Sequence, residues 1–177
     1  MSIILGIDPG SRITGYGVVQ SESGRQTYID CGCIRLGDVP LADRLLVLFD
    51  SLNQVIAQHQ PDIMSVEQVF LAKNASSALV LGHARGVAML AGTHNGLDVH
   101  EYSAKQIKRA VVGTGAAQKS QVQHMVTLLL SLSGKPKEDA ADALAAALCH
   151  SRLAPSATLL GKELNKGSVN LRRRRAH

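Results

Sequence analysis

The stretch MSIILGIDPGSRITGYG (residues 1–17) decides how the rest of the chain can be arranged. Apolar residues at positions 3, 4, 5 and 7 predict a buried strand that ends at Asp8, and Pro9-Gly10 predicts a turn into a second strand. A carboxylate at the end of a buried strand, beside a rigid turn, is well placed to hold a metal ion or an attacking water. Asp, Pro and Gly also favour turns for local backbone reasons, so this stretch alone leaves a plain turn equally open.

Length and composition indicate a single compact unit. The chain has 177 residues, of which 45% are hydrophobic, enough for one core but not for the two large lobes of a sugar-kinase-like enzyme. We predict one domain over residues 1–155 and a basic, flexible tail over 156–177. Because the sequence shows neither a run of 18 apolar residues nor a signal-peptide pattern, we predict a cytoplasmic protein without membrane contact.

The three cysteines, Cys31, Cys33 and Cys149, match no metal or redox motif. The close pair has C-x-C spacing, which fits neither a zinc site nor a thioredoxin-type site. We interpret them as reduced thiols of the core.

The net charge of +5 is unevenly distributed along the chain. Residues 154–177 hold six basic residues and a single acid, Glu163, so this tail accounts for the whole net charge. Residues 102–137 hold six basic residues and no acid, and the rest of the chain before the tail is net acidic. This separation favours a polyanion substrate that is cut with the help of metal ions, while a solvated helix surface is the alternative.

The hydrophobic periodicity predicts an α/β domain in which an antiparallel meander is followed by helices and by strands parallel to the first. The small residues of the long central helix suit close packing, either against its own sheet or against a second subunit. The predicted strands lie at 3–7, 14–22, 26–35, 62–67 and 97–102, and the predicted helices at about 40–60, 74–95, 103–112, 118–132 and 137–153.

Three further acids are placed as suggestively as Asp8. Glu67 closes an apolar strand, where a charge is costly unless it has a partner. Asp139 and Asp142 are three apart in the first turns of the last predicted helix and share one face, whereas Glu138 points elsewhere and is expected to be solvated. Acids also favour the first turn of any helix, which is the ordinary explanation for Asp139 and Asp142.

If the strand of Glu67 pairs with the strand of Asp8, the last helix can bring its two aspartates over them. Four carboxylates in one pocket would repel one another unless divalent cations neutralised them, and oxygen ligands suit Mg²⁺ or Mn²⁺. Two such ions roughly 4 Å apart can activate a water and stabilise the leaving 3′ oxygen of a phosphodiester. The sequence therefore predicts hydrolysis that leaves a 5′ phosphate.

The remaining candidates are an aromatic residue and several basic ones. Phe70, three residues after Glu67, could stack on the bases of an opened junction, although a lone Phe is more often a core residue. Lys119 follows a flexible loop and could reach the scissile phosphate, although a lysine at a helix start is usually just solvated. The short basic helix before that loop carries Lys105, Lys108 and Arg109, which we predict to bind DNA.

Taken together, these residues closely resemble the RuvC family of Holliday-junction resolvases. The matching segments are ILGIDPGS (4–11), TGYG (14–17), VEQVF (66–70), ARG (84–86), VVG (111–113), KSQVQ (119–123) and DAADAL (139–144).

The resemblance implies an RNase H-like fold, a five-stranded mixed sheet with helices on both faces, acting as a homodimer with one active site per subunit. It assigns the four metal positions to Asp8, Glu67, Asp139 and Asp142. It also implies a base-contacting role for Phe70 and a place near DNA for Lys108 and Lys119. Such a protein would nick two strands of like polarity symmetrically across a four-way junction and work with RuvA and RuvB.

Three other functional classes share some of these features. Sugar kinases, actin and heat-shock ATPases also place an Asp-x-Gly pattern after a strand, but they need a second lobe. A junction-binding module without activity would use the acids as caps and turns. A ribonuclease H would cut RNA–DNA hybrids with the same fold.

Overall fold

A computed structural model describes residues 1–68 and 75–154 of the protein. The elements in this part of the chain are β1 (Ser2–Asp8), β2 (Ile13–Glu22), β3 (Arg25–Arg35), α1 (Leu41–His59), β4 (Ile63–Gln68), α2 (Ala75–His94), β5 (Asp98–Ser103), α3 (Ala104–Val112), α4 (Lys119–Leu129) and α5 (138–154).

The five strands form one mixed sheet in the order β3-β2-β1-β4-β5. Strands β1, β2 and β3 are antiparallel neighbours, because short turns join them; Ser23 and Gly24 supply the positive φ angles of the second turn. Strand β4 is parallel to β1 and β5 is parallel to β4, because α1 and α2 carry the chain back across the sheet. The predicted meander and parallel strands are confirmed.

Each face of the sheet packs against its own set of helices. Alternating side chains of β1 separate the two cores: Ile4 packs with residues of α3, α4 and α5, whereas Leu5 and Ile7 pack with residues of α1 and α2. The protein therefore has three layers with the sheet in the middle. The predicted placement of helices on both faces is confirmed.

Local signals explain where the helices begin and end. Ser103 and Gln106 form a reciprocal capping box at the start of α3, where the predicted helix begins, and Gly113 ends that helix with φ 90°. Asn74, where the sequence predicts that α2 begins, lies outside the described residues, and so does the tail. The predicted domain boundary at residues 155 and 156 stays a prediction.

We find no helix in residues 1–68 and 75–154 that is long and apolar enough to cross a membrane.

Candidate active site at the ends of β1 and β4

Asp8 and Glu67 lie at the ends of two adjacent parallel strands. Ile7 of β1 is in register with Val66 of β4, so the next residue along each strand is one of these acids. Ser65 donates a hydrogen bond to the carbonyl oxygen of Ala146 at 2.7 Å, which shows that this face of β4 looks toward α5. Because strand side chains alternate, Glu67 lies on the same face as Ser65.

Glycines in the sheet let α5 lie directly on it. A Cβ atom added at Gly6 would lie 2.0 Å from the carbonyl oxygen of Ala143, and one added at Gly15 would lie 2.0 Å from that of Asp139. Neither distance is compatible with a side chain, so any other residue there would push α5 away. Asp8 pairs with Gly15 across β1 and β2, so the close approach occurs beside it. The N-terminal turns of α5, which carry Asp139 and Asp142, are thereby seated next to Asp8.

Burial and mutual repulsion disfavour the charged forms of these carboxylates. Burial, followed by repulsion from Glu67, Asp142 and Asp139, raises the pKa of Asp8 to about 8, against the partial attraction of Lys119. Burial and the charge of Asp142 raise the pKa of Glu67 to about 7. Burial also raises the pKa of Asp142. The acids predicted to share a pocket therefore interact electrostatically, and a bound cation would relieve their repulsion.

A small cavity of about 130 Å³ lies between β4, α3, α4 and α5. Its lining includes two of the predicted acids, Glu67 and Asp142, and two of the predicted basic residues, Lys108 and Lys119. Asp8 and Asp139 are not part of this lining. The lysine ammonium groups can bind a phosphate group, and the carboxylates beside them can bind a cation. The cavity therefore suits a phosphate group in contact with a cation.

The donor set fits a hard divalent cation, although its carboxylates are not gathered around a single point. Among residues 1–68 and 75–154, no three side chains of His, Cys, Asp or Glu lie close enough together to hold a metal ion. Burial, and then the charges of neighbouring acids, nevertheless raise the pKa values of the half-buried Asp8 and Glu67. Oxygen ligands of this kind are those that Mg²⁺ and Mn²⁺ prefer.

Comparison with known proteins agrees with this geometry. The family model described as crossover junction endodeoxyribonuclease RuvC matches residues 4–150. The chain belongs to the RuvC family. This membership gives it the RNase H-like fold and the activity class of an endonuclease acting on crossover junctions in DNA, and it excludes the kinase and ATPase class.

Relatives from several bacteria support the assignment. A RuvC from Pseudoalteromonas atlantica is 62% identical over 151 residues, which cover 85% of this chain and 87% of that protein. The structure of Thermus thermophilus RuvC has 30% identity and a TM-score of 0.79, covering 88% of this chain and 97% of that one. T. thermophilus RuvC in complex with Holliday junction substrate has 29% identity and a TM-score of 0.83, covering 89% and 98% of the two chains.

The other predicted DNA-binding residues of this RuvC family member are placed unevenly. Lys108 faces the cavity from α3, whereas Lys105 and Arg109 of the same helix are exposed. Phe70 lies outside the described residues, so its predicted contact with bases stays a prediction.

Sequence reasoning missed two features of the site. The first is Glu138, which is exposed as expected but accepts a hydrogen bond from Lys119 at 2.6 Å. Nothing in the sequence indicates that pair, because its members are 19 residues apart on different helices. The second is the seat of α5, by which we mean the close contact of this helix with Gly6 of β1 and Gly15 of β2. The sequence did carry a signal for this contact. Gly15 and Gly17 are two residues apart, so they lie on the same face of one strand, and the predicted helix at about 137–153 is rich in alanine.

Proposed function

We propose that this chain resolves four-way DNA junctions in recombination and repair by hydrolysing phosphodiester bonds with divalent cations. The observation that carries the proposal is the set of half-buried carboxylates Asp8, Glu67 and Asp142, whose pKa values are raised by burial, beside the ammonium group of Lys119. Half-buried acids that repel one another, next to a cavity lined by lysines, suit a cation-assisted cut in a polyanion.

The residues that would hold the cations are Asp8, Glu67, Asp139 and Asp142. We propose Mg²⁺ as the natural ion, with Mn²⁺ as a substitute and two ions per site. When bound, such ions activate a water and stabilise the leaving 3′ oxygen, which leaves a 5′ phosphate. The protein contributes the seat of α5 on Gly6 and Gly15, which fixes the separation of the two acid pairs.

Basic residues around the cavity would bind the DNA backbone. Lys119 and Lys108 line the cavity, where their ammonium groups can contact the oxygens of the scissile phosphate. Lys105 and Arg109 are exposed on the same helix as Lys108 and would contact phosphates farther from the cut. Phe70 would contact bases near the branch point.

Helix α2 is the proposed surface for a homodimer. Leu79 and Leu90 are 66% and 59% exposed, and Gly82 and Gly86, spaced between them along one face of the helix, would meet no atom within 4 Å if they carried a Cβ. Exposed leucines flanking glycines can pack closely against a second copy of the same helix. Two sites related by a two-fold axis would cut a symmetric junction in paired, symmetric nicks.

The junction itself is the proposed substrate because T. thermophilus RuvC is known in complex with a Holliday junction. RuvA and RuvB are the proposed partners at the junction, and the cytoplasm is the proposed location.

The direct test is cleavage of a synthetic four-way junction in Mg²⁺ by Asp8→Asn. This change keeps the size of the side chain but removes its charge, so we expect junction binding to persist while the cleavage rate falls by more than about a hundredfold. Asp62→Asn is the matched control, because Asp62 accepts a hydrogen bond from the backbone of Ile3 at the other end of β1. Cleavage by Asp8→Asn at the parental rate would contradict the proposal.

Substrate competition separates a resolvase from a ribonuclease H. We expect the four-way junction to be cut faster than a linear RNA–DNA hybrid of equal length. If the hybrid were cut faster, the hybrid and not the junction would be the substrate. The proposed metal chemistry would be unaffected by that result.

A further inference from the structure

Lys119 occupies a position that its own helix disfavours. It is the first residue of α4, where the backbone N–H groups and the helix dipole already place positive charge. A capping box between Gln118 and Gln121 holds the first turn of the helix in place. The first turn therefore does not fray, and Lys119 stays at the helix start. Its side chain is 66% exposed, and carboxylates from another helix offset the unfavourable interaction with the helix start.

Two carboxylates of α5 supply that stabilisation unequally. The Nζ atom of Lys119 lies 2.6 Å from Oε1 of Glu138 and 3.5 Å from Oδ2 of Asp142. The Glu138 side chain is 60% exposed, whereas that of Asp142 is 17% exposed and lines the cavity. The shorter contact is therefore with the acid outside the cavity, and the longer one is with the proposed metal ligand.

A hydrogen bond near the starts of α4 and α5 supports this arrangement. The side-chain amide of Gln123 on α4 donates a hydrogen bond to the carbonyl oxygen of Pro136 at 2.6 Å, just before α5 begins. Glu138 is the first residue of α5, so the starts of the two helices are tied together where Lys119 and Glu138 meet. The pair is thus a product of the packing between α4 and α5.

We propose that Glu138 is a positioning residue that holds the ammonium group of Lys119 away from Asp142, so that the oxygens of Asp142 stay available to a divalent cation. This inference rests on the proposed metal role of Asp142. Without the Glu138 carboxylate, Asp142 would be the remaining carboxylate partner of Lys119 in the described part of the chain. The ammonium group of Lys119 would then move closer to the Asp142 carboxylate. The ammonium group and a divalent cation would then compete for the same oxygens.

The test is Mn²⁺ binding to the full chain, measured by electron paramagnetic resonance of the free ion and by calorimetry, without DNA. We expect Glu138→Gln to weaken Mn²⁺ binding about three- to fivefold, as for loss of one exposed ion pair. The Mg²⁺ midpoint of junction cleavage should rise by the same factor, while the rate at saturating Mg²⁺ stays within about twofold. Wild-type protein that binds no Mn²⁺ would refute the metal site itself and not this inference alone.

Two controls separate positioning from a general loss of negative charge. Asp38→Asn removes one exposed carboxylate that pairs with Arg12 rather than with Lys119, and it should leave Mn²⁺ binding unchanged. In a Lys119→Met background, Glu138→Gln should have no further effect, because there is no ammonium group left to hold. Three results would each overturn the inference. Glu138→Gln could leave the Mn²⁺ affinity unchanged, or Asp38→Asn could lower that affinity as much as Glu138→Gln does. The third is that Glu138→Gln lowers the Mn²⁺ affinity as much in the Lys119→Met background as in the wild-type chain.

Discussion

Helices α5 and α2 are both rich in small residues, and they use them in opposite ways. In α5 the alanines at 140, 141, 143 and 145–147 are buried, and its backbone rests on glycines of β1 and β2. In α2 the alanines at 84, 88 and 91 face the core, but Gly82 and Gly86 face open space between two exposed leucines.

The difference shows that a small residue has no fixed role on a helix. Where the opposite surface is a glycine-containing sheet, small residues set a distance, and in α5 that distance places two acids over Asp8. Where no surface from the described part of the chain lies opposite, as at Gly82 and Gly86, small residues leave room for another molecule. The first arrangement serves the proposed active site and the second serves the proposed dimer.

The largest effect should come from adding a methyl group to the seat of α5. Gly15→Ala would place a Cβ 2.0 Å from the carbonyl oxygen of Asp139, so α5 must shift. We expect the free energy of unfolding to fall by about 3 kcal/mol, and junction cleavage by the folded fraction to fall about a hundredfold, because the acids on α5 are displaced. Urea denaturation and single-turnover cleavage measure the two effects.

Gly82→Ala is the matched control for Gly15→Ala. The same methyl group meets no atom of the protomer within 4 Å on α2, and alanine favours helix, so the protomer should gain up to about 1 kcal/mol in stability when it is measured as a monomer. Equal destabilisation by the two substitutions would show that the close approach of α5 is not what matters.

A smaller effect should follow from charging the open face of α2. In a variant with both Leu79→Glu and Leu90→Glu, carboxylates would be buried between two copies of the helix, so the dimer should dissociate at least about tenfold more readily. Sedimentation velocity at several concentrations measures this. The variant should keep the parental unfolding midpoint under conditions where both proteins are monomers, because these side chains are exposed in the protomer. An unchanged dimer would place the interface elsewhere.

The last comparison concerns the C-terminal parts of the two helices. His150 of α5 is 3% exposed and lies 2.9 Å from the hydroxyl of Tyr102, whereas His94 at the end of α2 is exposed. Burial, and then the nearby His100, lower the pKa of His150 from 6.5 to about 4, against the attraction of Asp98. The unfolded chain therefore takes up a proton first as the pH falls, and stability is lost between pH 6.5 and pH 4.

We expect the stability lost between about pH 7 and about pH 4 to be about 1–2 kcal/mol smaller in His150→Gln than in the wild type. Denaturation curves recorded at the two pH values measure this. His94→Gln should keep the wild-type dependence on pH. If both variants keep it, the proton is taken up by another group.

Much of the fold could be predicted because local signals and topology agreed. Strand periodicity, the short turn at Ser23 and Gly24, and the helical crossover before Ile63 were enough to order β1, β2, β3 and β4. The site was predictable to the extent that it depends on strand ends, as for Asp8 and Glu67. What could not be predicted depends on distances between helices, which periodicity does not encode. The contact between Lys119 and Glu138 is of this kind, and so is the closeness of α5 to the sheet.

The order of the acids along the chain bears on how the protein is made. Asp142 follows Asp8 by 134 residues, and α5 is the last of the described elements to be synthesised. At a synthesis rate of about 5–20 residues per second, roughly 7 to 27 seconds separate the two acids. The sheet can begin to form during that interval, but the proposed metal site cannot, because two of its four proposed carboxylates arrive with α5. Under the proposed mechanism, a nascent chain that lacks α5 would therefore not cut DNA.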